Sequence, residues 1–171
     1  VLGKGSNILV SGKGVRGVVI ATECLRALFI QDNAVCASAG LSLINVSKAC
    51  AELGLSGLEF ASGIPGSIGG AAYMNAGAYD GEMKDVVTSV TVLDESGNIR
   101  EIHADDMQFS YRHSRLKEEP LVCLAVTMQL KDADKKDILA HIADLSERRS
   151  SRQPLELPSA GSTFKRPTGY Y

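Results

Sequence analysis

The residues best suited to chemistry lie in two glycine-rich segments, residues 3–7 and 62–79. Glycine has no Cβ atom, so its backbone can adopt positive φ angles and its N–H group can approach a ligand closely. Pro65 stiffens a turn in the second segment. Glycine content alone favours tight turns between strands. Two such segments in one chain, however, can hold one extended diphosphate ligand from both sides.

The first segment adds polar side chains to its backbone donors. The hydroxyl of Ser6 and the amide of Asn7 can donate to phosphate oxygens without a full positive charge. In the second segment we predict a short helix over residues 68–75, whose N-terminus would contribute a partial positive charge to the same anion. Small and polar residues at 75–79 could line a flat ring.

The order of the motifs resembles one enzyme family. Residues 3–9, 57–70, 74–79, 111–114 and 159–167 match, in sequence order, motifs of the UDP-N-acetylenolpyruvoylglucosamine reductases, the MurB family of FAD enzymes. The resemblance runs from Leu2 to Gly169. The Gly-x-Gly-x-x-Gly motif of a Rossmann dinucleotide site does not match these segments.

The resemblance implies that both segments and the small residues after them bind FAD. The expected FAD-binding residues are Gly3, Lys4, Gly5, Ser6, Asn7, Ile8, Gly63, Ile64, Pro65, Gly66, Ser67, Gly69, Gly70, Asn75, Gly77, Ala78 and Tyr79.

The resemblance also implies an activity, the reduction of UDP-N-acetylglucosamine enolpyruvate to UDP-N-acetylmuramate in peptidoglycan precursor synthesis, with NADPH as the reductant. Arg112, in Tyr-Arg-x-Ser, matches the active-site arginine, whose fixed charge suits a carboxylate and an enolate. Ser162 matches the serine that protonates the product carbon. The expected substrate-binding residues are Tyr111, Arg152, Gly161, Lys165 and Arg166.

Other interpretations of these residues are weaker. We interpret His113 as a surface histidine, since it occupies the variable position of its motif. Glu59 and Glu82 are not assigned the role of the family's catalytic glutamate, which we expect beyond residue 171. The short connection at 116–120 indicates the subtype without the tyrosine-bearing insertion. The alternatives are another FAD oxidase or dehydrogenase of the same fold and a non-catalytic flavin-fold module.

Composition excludes several classes of protein. The chain has 171 residues, 44% hydrophobic content and a formal charge of −2, so it can form a core but has no electrostatic footprint for nucleic acid or an anionic membrane. Its four cysteines lack Cys-x-x-Cys spacing, which argues against a metal site and favours free thiols in a reducing cytoplasm. We expect a cytoplasmic monomer.

We expect an α+β fold of the vanillyl-alcohol-oxidase or MurB type, with mixed and antiparallel sheets and flanking helices. Residues 1–21 would end a first FAD-binding subdomain, 22–133 would form the second, and 134–171 would begin the substrate-binding domain. The resemblance suggests an internal fragment of a longer enzyme, inactive alone.

The pattern of apolar residues predicts the elements that position these segments. Hairpins are expected from runs at 8–10 and 18–20, at 28–31 and 34–37, and at 86–93 and 99–103, with a further strand at 121–130. Ser42 and Asp134 are candidate N-caps of two helices, and Gly54 ends the first.

Overall fold

A computed structural model of the chain describes residues 1–79, 81–153, 157, 164, 165 and 167. A five-stranded antiparallel sheet forms its centre. The strands are β1 (Leu28–Gln31), β2 (Ala34–Ser38), β3 (Leu55–Ser56), β4 (Gly77–Ala78), β5 (Gly81–Glu82), β6 (Val87–Leu93), β7 (Ile99–His103), β8 (Val122–Gln129) and β9 (Lys131–Asp132). The central sheet has the order β1-β2-β8-β6-β7, while β3 pairs with β9 and β4 pairs with β5.

Three α-helices flank the sheet: α1 (Leu43–Glu52), α2 (Ile68–Met74) and α3 (Lys135–Ser150). Short 3-10 helices cover Glu59–Ala61, Met83–Asp85, Ala104–Met107 and Arg115–Lys117. Asp134 caps α3 as predicted, because its carboxylate accepts from the Lys136 N–H at 2.7 Å. Ser42 stands at the N-cap of α1 without a side-chain cap bond, and Gly54 follows that helix with a φ of +75°.

The core lies between the sheet and the first two helices. Val35, Val90 and Val126 come from three adjacent strands and are fully buried. They belong to one apolar cluster with Leu43 of α1 and Ile68 of α2. Helix α2 is therefore packed into the core, and this packing fixes the position of the segments at its two ends.

The sequence prediction is wrong for the first hairpin. Residues 8–10 and 18–20 form no strands; the backbone pairing in this region instead joins Leu2 to Ala21 in a parallel bridge. Leu9 is 99% exposed and Val18 is 90% exposed. A β-branched run becomes a strand only where it has a partner strand and an apolar surface. Among the described residues the two runs do not pair with each other, and the second has one backbone bond, from the Leu2 N–H to the Ile20 carbonyl at 2.8 Å.

The other predicted strands and helices are confirmed, with bounds that differ by one or two residues. Asp32 takes a φ of +51° in the turn between β1 and β2, where aspartate tolerates the left-handed region. The α+β fold class is likewise confirmed. Helix α3 packs against α1 and the 3-10 helix Glu59–Ala61, and the division of the chain at residue 134 stays a prediction.

Among the described residues, none of the helices has the length and apolar character needed to cross a bilayer.

Candidate functional site

The structure brings the two glycine-rich segments together. We call residues 3–7 loop 1 and residues 62–70 loop 2. The hydroxyl of Ser6 donates to the Pro65 carbonyl at 2.8 Å. A Cβ atom on Gly3 would lie 2.2 Å from Ser67 Oγ, so any larger residue at position 3 would force the Ser67 side chain to move. The two loops thus face each other as expected, while their contact with a flavin stays a prediction.

Loop 1 presents unused backbone donors. Residues 4–7 are exposed, and their N–H groups have no acceptor within the part of the chain that the structure describes. Exposed N–H groups in a glycine-containing turn are suited to an anion. Lys4 adds one positive charge beside them.

The first N–H groups of α2 donate to acceptors within the protein. The N–H groups of Ile68 and Gly69 donate to the carbonyls of Leu41 and Ala39, each at 2.9 Å. The N–H of Gly70 donates to the side chain of Ser67, the N-cap residue, at 3.3 Å. Packing against the β2–α1 connection therefore uses these N–H groups, and the contribution of the helix's partial positive charge to an anion stays a prediction.

Two glycines of loop 2 serve different purposes. A Cβ atom on Gly69 would lie 2.8 Å from the Cβ of Ala39, so Gly69 allows α2 to pack closely against the chain after β2. A Cβ atom on Gly66 would meet only Ser6 Oγ, at an ordinary 3.5 Å. Packing among the described residues does not require glycine at position 66, and close approach of a ligand there stays a prediction.

The donor set fits the diphosphate of FAD. Loop 1 offers N–H groups and the Asn7 amide, the Ser6 hydroxyl joins it to loop 2 by donating to Pro65, and loop 2 has an open backbone at Gly66. No group of three or more His, Cys, Asp or Glu residues that could hold a metal occurs in the described ranges. The arrangement is suited to an anion, with backbone and amide donors beside the one positive charge of Lys4.

Asn75 ends α2 in the left-handed conformation, with a φ of +41°. Its side chain is fully buried. The amide nitrogen donates to Glu82 Oε2 at 2.7 Å and to the Ser110 carbonyl at 3.0 Å, and Oδ1 accepts from the Lys84 N–H at 2.9 Å. All polar atoms of this side chain are engaged inside the protein, and a flavin contact through its backbone stays a prediction.

Arg112 lies on a tight turn beside the end of α2. Ser110 and His113 exchange two backbone hydrogen bonds around it, at 3.2 and 3.1 Å, and Arg112 has a φ of +56°. Its guanidinium donates to the Gly77 carbonyl at 2.9 Å and stacks on Tyr111 at 5.0 Å from the ring centroid.

No carboxylate of the described chain forms an ion pair with Arg112. Its positive charge is half-buried, held by carbonyl oxygens and free to meet an anionic ligand. The neighbouring His113 instead faces Glu118, with 3.5 Å between Nδ1 and Oε1. This pairing agrees with the interpretation of His113 as a surface residue.

Tyr79 borders a groove of about 330 Å³ between loop 2 and α3. Its φ is +53°, and its side chain is partly exposed. Leu139 and Ile142 of α3 form the apolar wall, and the Arg149 guanidinium donates to the carbonyl of Gly63. The sequence analysis did not assign Arg149 to the site. The only feature of the sequence that could have indicated it is the group of arginines at the end of α3, Arg148, Arg149 and Arg152.

Several expected site residues have no structural account. Ser162, Gly161 and Arg166 lie outside the described residues. Arg152 and Lys165 are described and exposed. Their roles, like that of Ser162, stay predictions.

Two of the four cysteines have raised thiol pKa values. Burial raises the pKa of the Cys50 thiol to about 11 and that of Cys123 to about 12. Both thiols are therefore neutral at physiological pH, which is the behaviour of packed core residues.

The chain is similar to known proteins along its whole length. A family model described as FAD binding domain matches residues 1–103. The chain is 48% identical to the UDP-N-acetylenolpyruvoylglucosamine reductase of Caldanaerobacter subterraneus subsp. tengcongensis, over 100% of the chain and 57% of that protein. It is 49% identical to the protein of the same name from Clostridium perfringens, over 100% of the chain and 56% of that protein.

A solved structure supports the same comparison. The crystal structure of UDP-N-acetylenolpyruvylglucosamine reductase (MurB) from Thermus caldophilus superposes with a TM-score of 0.86 at 35% identity. The match covers 99% of this chain and 62% of that one. The chain thus spans slightly more than half the length of the curated relatives described above.

Proposed function

The chain belongs to the FAD binding domain family, and we propose that it serves in the NADPH-dependent reduction of UDP-N-acetylglucosamine enolpyruvate to UDP-N-acetylmuramate. The reaction is that of the UDP-N-acetylenolpyruvoylglucosamine reductases to which the chain is similar. It supplies a precursor of peptidoglycan.

One structural observation carries the proposal. Loop 1 and loop 2 meet at the Ser6–Pro65 hydrogen bond, and α2 leads directly from loop 2 to the carbonyl groups that hold Arg112. The seven residues of α2 span about 10 Å. One short helix, buried on most of its surface, therefore fixes the proposed diphosphate cradle relative to Arg112, which has no ion-pair partner among the described residues.

The chain's residues have distinct roles in this proposal. The N–H groups of loop 1 and the open backbone at Gly66 hold the diphosphate of FAD, and FAD, when bound, supplies hydride transfer from NADPH to the substrate. Arg112 binds the enolpyruvyl carboxylate and stabilises negative charge that develops beside it. Its half-buried position makes that charge more effective than it would be in water.

Proton delivery and nucleotide binding are assigned to the C-terminal motifs. Ser162 donates a proton to the carbon next to the carboxylate, for which a carbanion or enolate is a sufficiently strong base. Arg152, Lys165 and Arg166 bind the pyrophosphate of the UDP group. The four free cysteines support a reducing compartment, and we place a monomeric enzyme in the cytoplasm.

The proposal is tested with the complete protein, FAD, NADPH and UDP-N-acetylglucosamine enolpyruvate. We expect NADPH oxidation that depends on the UDP-sugar, with a product two hydrogens heavier by mass spectrometry. Simple alcohols and free sugars serve as alternative substrates for an oxidase of the same fold. NADPH oxidation that ignores the UDP-sugar, or flavin reduction by an alcohol instead, would contradict the proposal.

A further inference from the structure

We propose that Asn75 is a positioning residue that sets the orientation of Arg112. The inference rests on the proposed function for the identity of the anion that Arg112 meets. It rests on the geometry of the turn for everything else.

Asn75 holds the start of the Arg112 turn through its side chain. Its amide nitrogen donates to the Ser110 carbonyl at 3.0 Å, and Ser110 is the residue that exchanges two backbone bonds with His113 across the turn. Fixing the Ser110 carbonyl therefore fixes the plane from which Arg112 projects.

Asn75 also holds the guanidinium through its backbone. Arg112 Nη1 makes a long, 3.5 Å hydrogen bond to the Asn75 carbonyl, while Nη2 donates to Gly77, two residues further on, at 2.9 Å. Asn75 thus contacts both Ser110, the first residue of the turn, and the guanidinium of Arg112. A shift of Asn75 would move both together.

The turn needs such support because Arg112 has a φ of +56°, a conformation that a long side chain does not favour by itself. The far side of the turn has its own anchors. Ser114 Oγ donates to the Tyr73 carbonyl at 2.8 Å, and Lys117 Nζ donates to the Arg112 carbonyl at 3.3 Å. Asn75 secures the near side.

Asparagine suits position 75 better than glycine or aspartate, the two other residues that tolerate a positive φ there. Glycine would accept the φ of +41° but offers no amide. Aspartate would accept it too, but it has no donor for the Ser110 carbonyl and would face the carboxylate of Glu82. Asparagine combines the left-handed conformation with two donors and one acceptor, all of which the structure uses.

A double substitution isolates the contact to Ser110. In Asn75→Asp combined with Glu82→Gln, the buried pair re-forms with its polarity reversed, because the amide introduced at position 82 donates to the carboxylate introduced at position 75. Glu82→Gln also removes the ion pair between Glu82 and Lys84. Relative to Glu82→Gln alone, the bond from Lys84 N–H is kept and the donation to Ser110 is lost. Glu82→Gln alone provides the background, and Asn75→Gly, which keeps the left-handed conformation, is the second variant.

The predicted flavin contact of Asn75 is through its backbone, which both variants keep. We therefore expect these variants of the complete holoenzyme to bind FAD stoichiometrically and to be reduced by NADPH within about twofold of the normal rate. Reoxidation by UDP-N-acetylglucosamine enolpyruvate should slow about tenfold or more, the range in which misplaced catalytic groups act. Calorimetric binding of UDP-N-acetylmuramate, whose carboxylate would meet Arg112, should weaken by a similar factor.

Combination with Arg112→Lys decides whether Asn75 acts through Arg112. In the Arg112→Lys background, the Asn75 substitution should slow reoxidation by less than about a further twofold, because the effects of residues that act as a unit are not additive. Ser47→Ala is the matched control: it removes another buried hydrogen bond, from Ser47 Oγ to the Leu58 carbonyl at 2.7 Å, and should leave both half-reactions unchanged.

Full additivity with Arg112→Lys would overturn the inference, as would an unchanged reoxidation rate in both Asn75 variants. Loss of FAD, or equal slowing of both half-reactions, in both variants would indicate a general structural role and overturn it too. If Arg112→Lys itself reoxidises normally, the role of Arg112 in the proposed function fails and the inference fails with it. If Arg112→Lys is slow and the Asn75 variants are not, the inference alone fails.

Discussion

The hydroxyl of Ser6 donates to the carbonyl of Pro65 at 2.8 Å, across 59 residues of sequence. This bond fixes the spacing of the two loops that form the proposed diphosphate cradle. Ser6→Ala should therefore weaken FAD binding about fivefold, which corresponds to the loss of about 1 kcal/mol from one hydrogen bond. Flavin fluorescence titration of the apoprotein measures the change. Unchanged affinity would show that this hydrogen bond does not contribute to FAD binding.

Two glycine substitutions should separate cofactor binding from packing. Gly66→Ala adds a methyl group that meets only Ser6 Oγ at 3.5 Å, so stability should hold while FAD affinity falls. Gly69→Ala places a methyl group 2.8 Å from Ala39 Cβ, which should cost about 1–3 kcal/mol of folding stability. Urea unfolding and flavin titration of both variants provide the test, and the reverse pattern would refute the roles assigned to these glycines.

The cysteines should differ in reactivity according to burial. Cys24 is exposed, whereas burial raises the pKa of Cys50 to about 11 and of Cys123 to about 12. Iodoacetamide at about pH 8 should modify Cys24 in the folded protein, and should modify Cys50 and Cys123 only after unfolding. Peptide mass spectrometry distinguishes these sites, and rapid labelling of Cys50 in the folded state would contradict the packing described.

The same shifts predict a dependence of stability on pH. A raised pKa in the folded state means that the unfolded chain loses its thiol protons first, at a pKa near 9.0. The two thiols therefore make their whole contribution to the free energy of unfolding below about pH 9, and this contribution declines as the pH rises toward 11. Replacing Cys50 with serine should remove part of that decline in urea unfolding curves measured across this range.

Local signals predicted most of the scaffold. The turn at Asp32, the N-cap at Asp134 and the helix stop at Gly54 depend on residues within a few positions of one another, and each lies where its pattern indicated. The prediction of a strand at residues 8–10 was wrong because a strand also needs a partner strand to pair with. Its residue types specify a preference for extended structure, but they cannot specify what it pairs with.

The supporting contacts of the site could not be predicted in the same way. The bond from Asn75 to Ser110 spans 35 residues, and that from Arg149 to Gly63 spans 86. Neither leaves a periodic pattern in the sequence. The motifs pointed to Gly66 and Arg112 themselves, and the fold was required to find the residues that hold them in place.

The assignment of Ser162 predicts a change in one half-reaction. Ser162→Ala removes a hydroxyl and little volume, so NADPH should reduce the flavin at a near-normal rate. Reoxidation by UDP-N-acetylglucosamine enolpyruvate should slow by ~10²–10⁴-fold, the range for a lost general acid. Equal slowing of both steps would instead assign Ser162 to flavin position or folding, and normal reoxidation would show that another group protonates the product.

The most direct test of the account is anaerobic stopped-flow absorbance of the complete protein and its Arg112→Lys variant. Lysine keeps the positive charge but lacks the planar guanidinium, whose two terminal nitrogens contact the Asn75 and Gly77 carbonyls and keep further donors for a carboxylate. We predict that NADPH bleaches the flavin of both proteins at similar rates, and that UDP-N-acetylglucosamine enolpyruvate restores the colour quickly in the wild type and at least about tenfold more slowly in the variant. Failure of the UDP-sugar to reoxidise the wild-type flavin, or equal reoxidation of both proteins, would contradict the account.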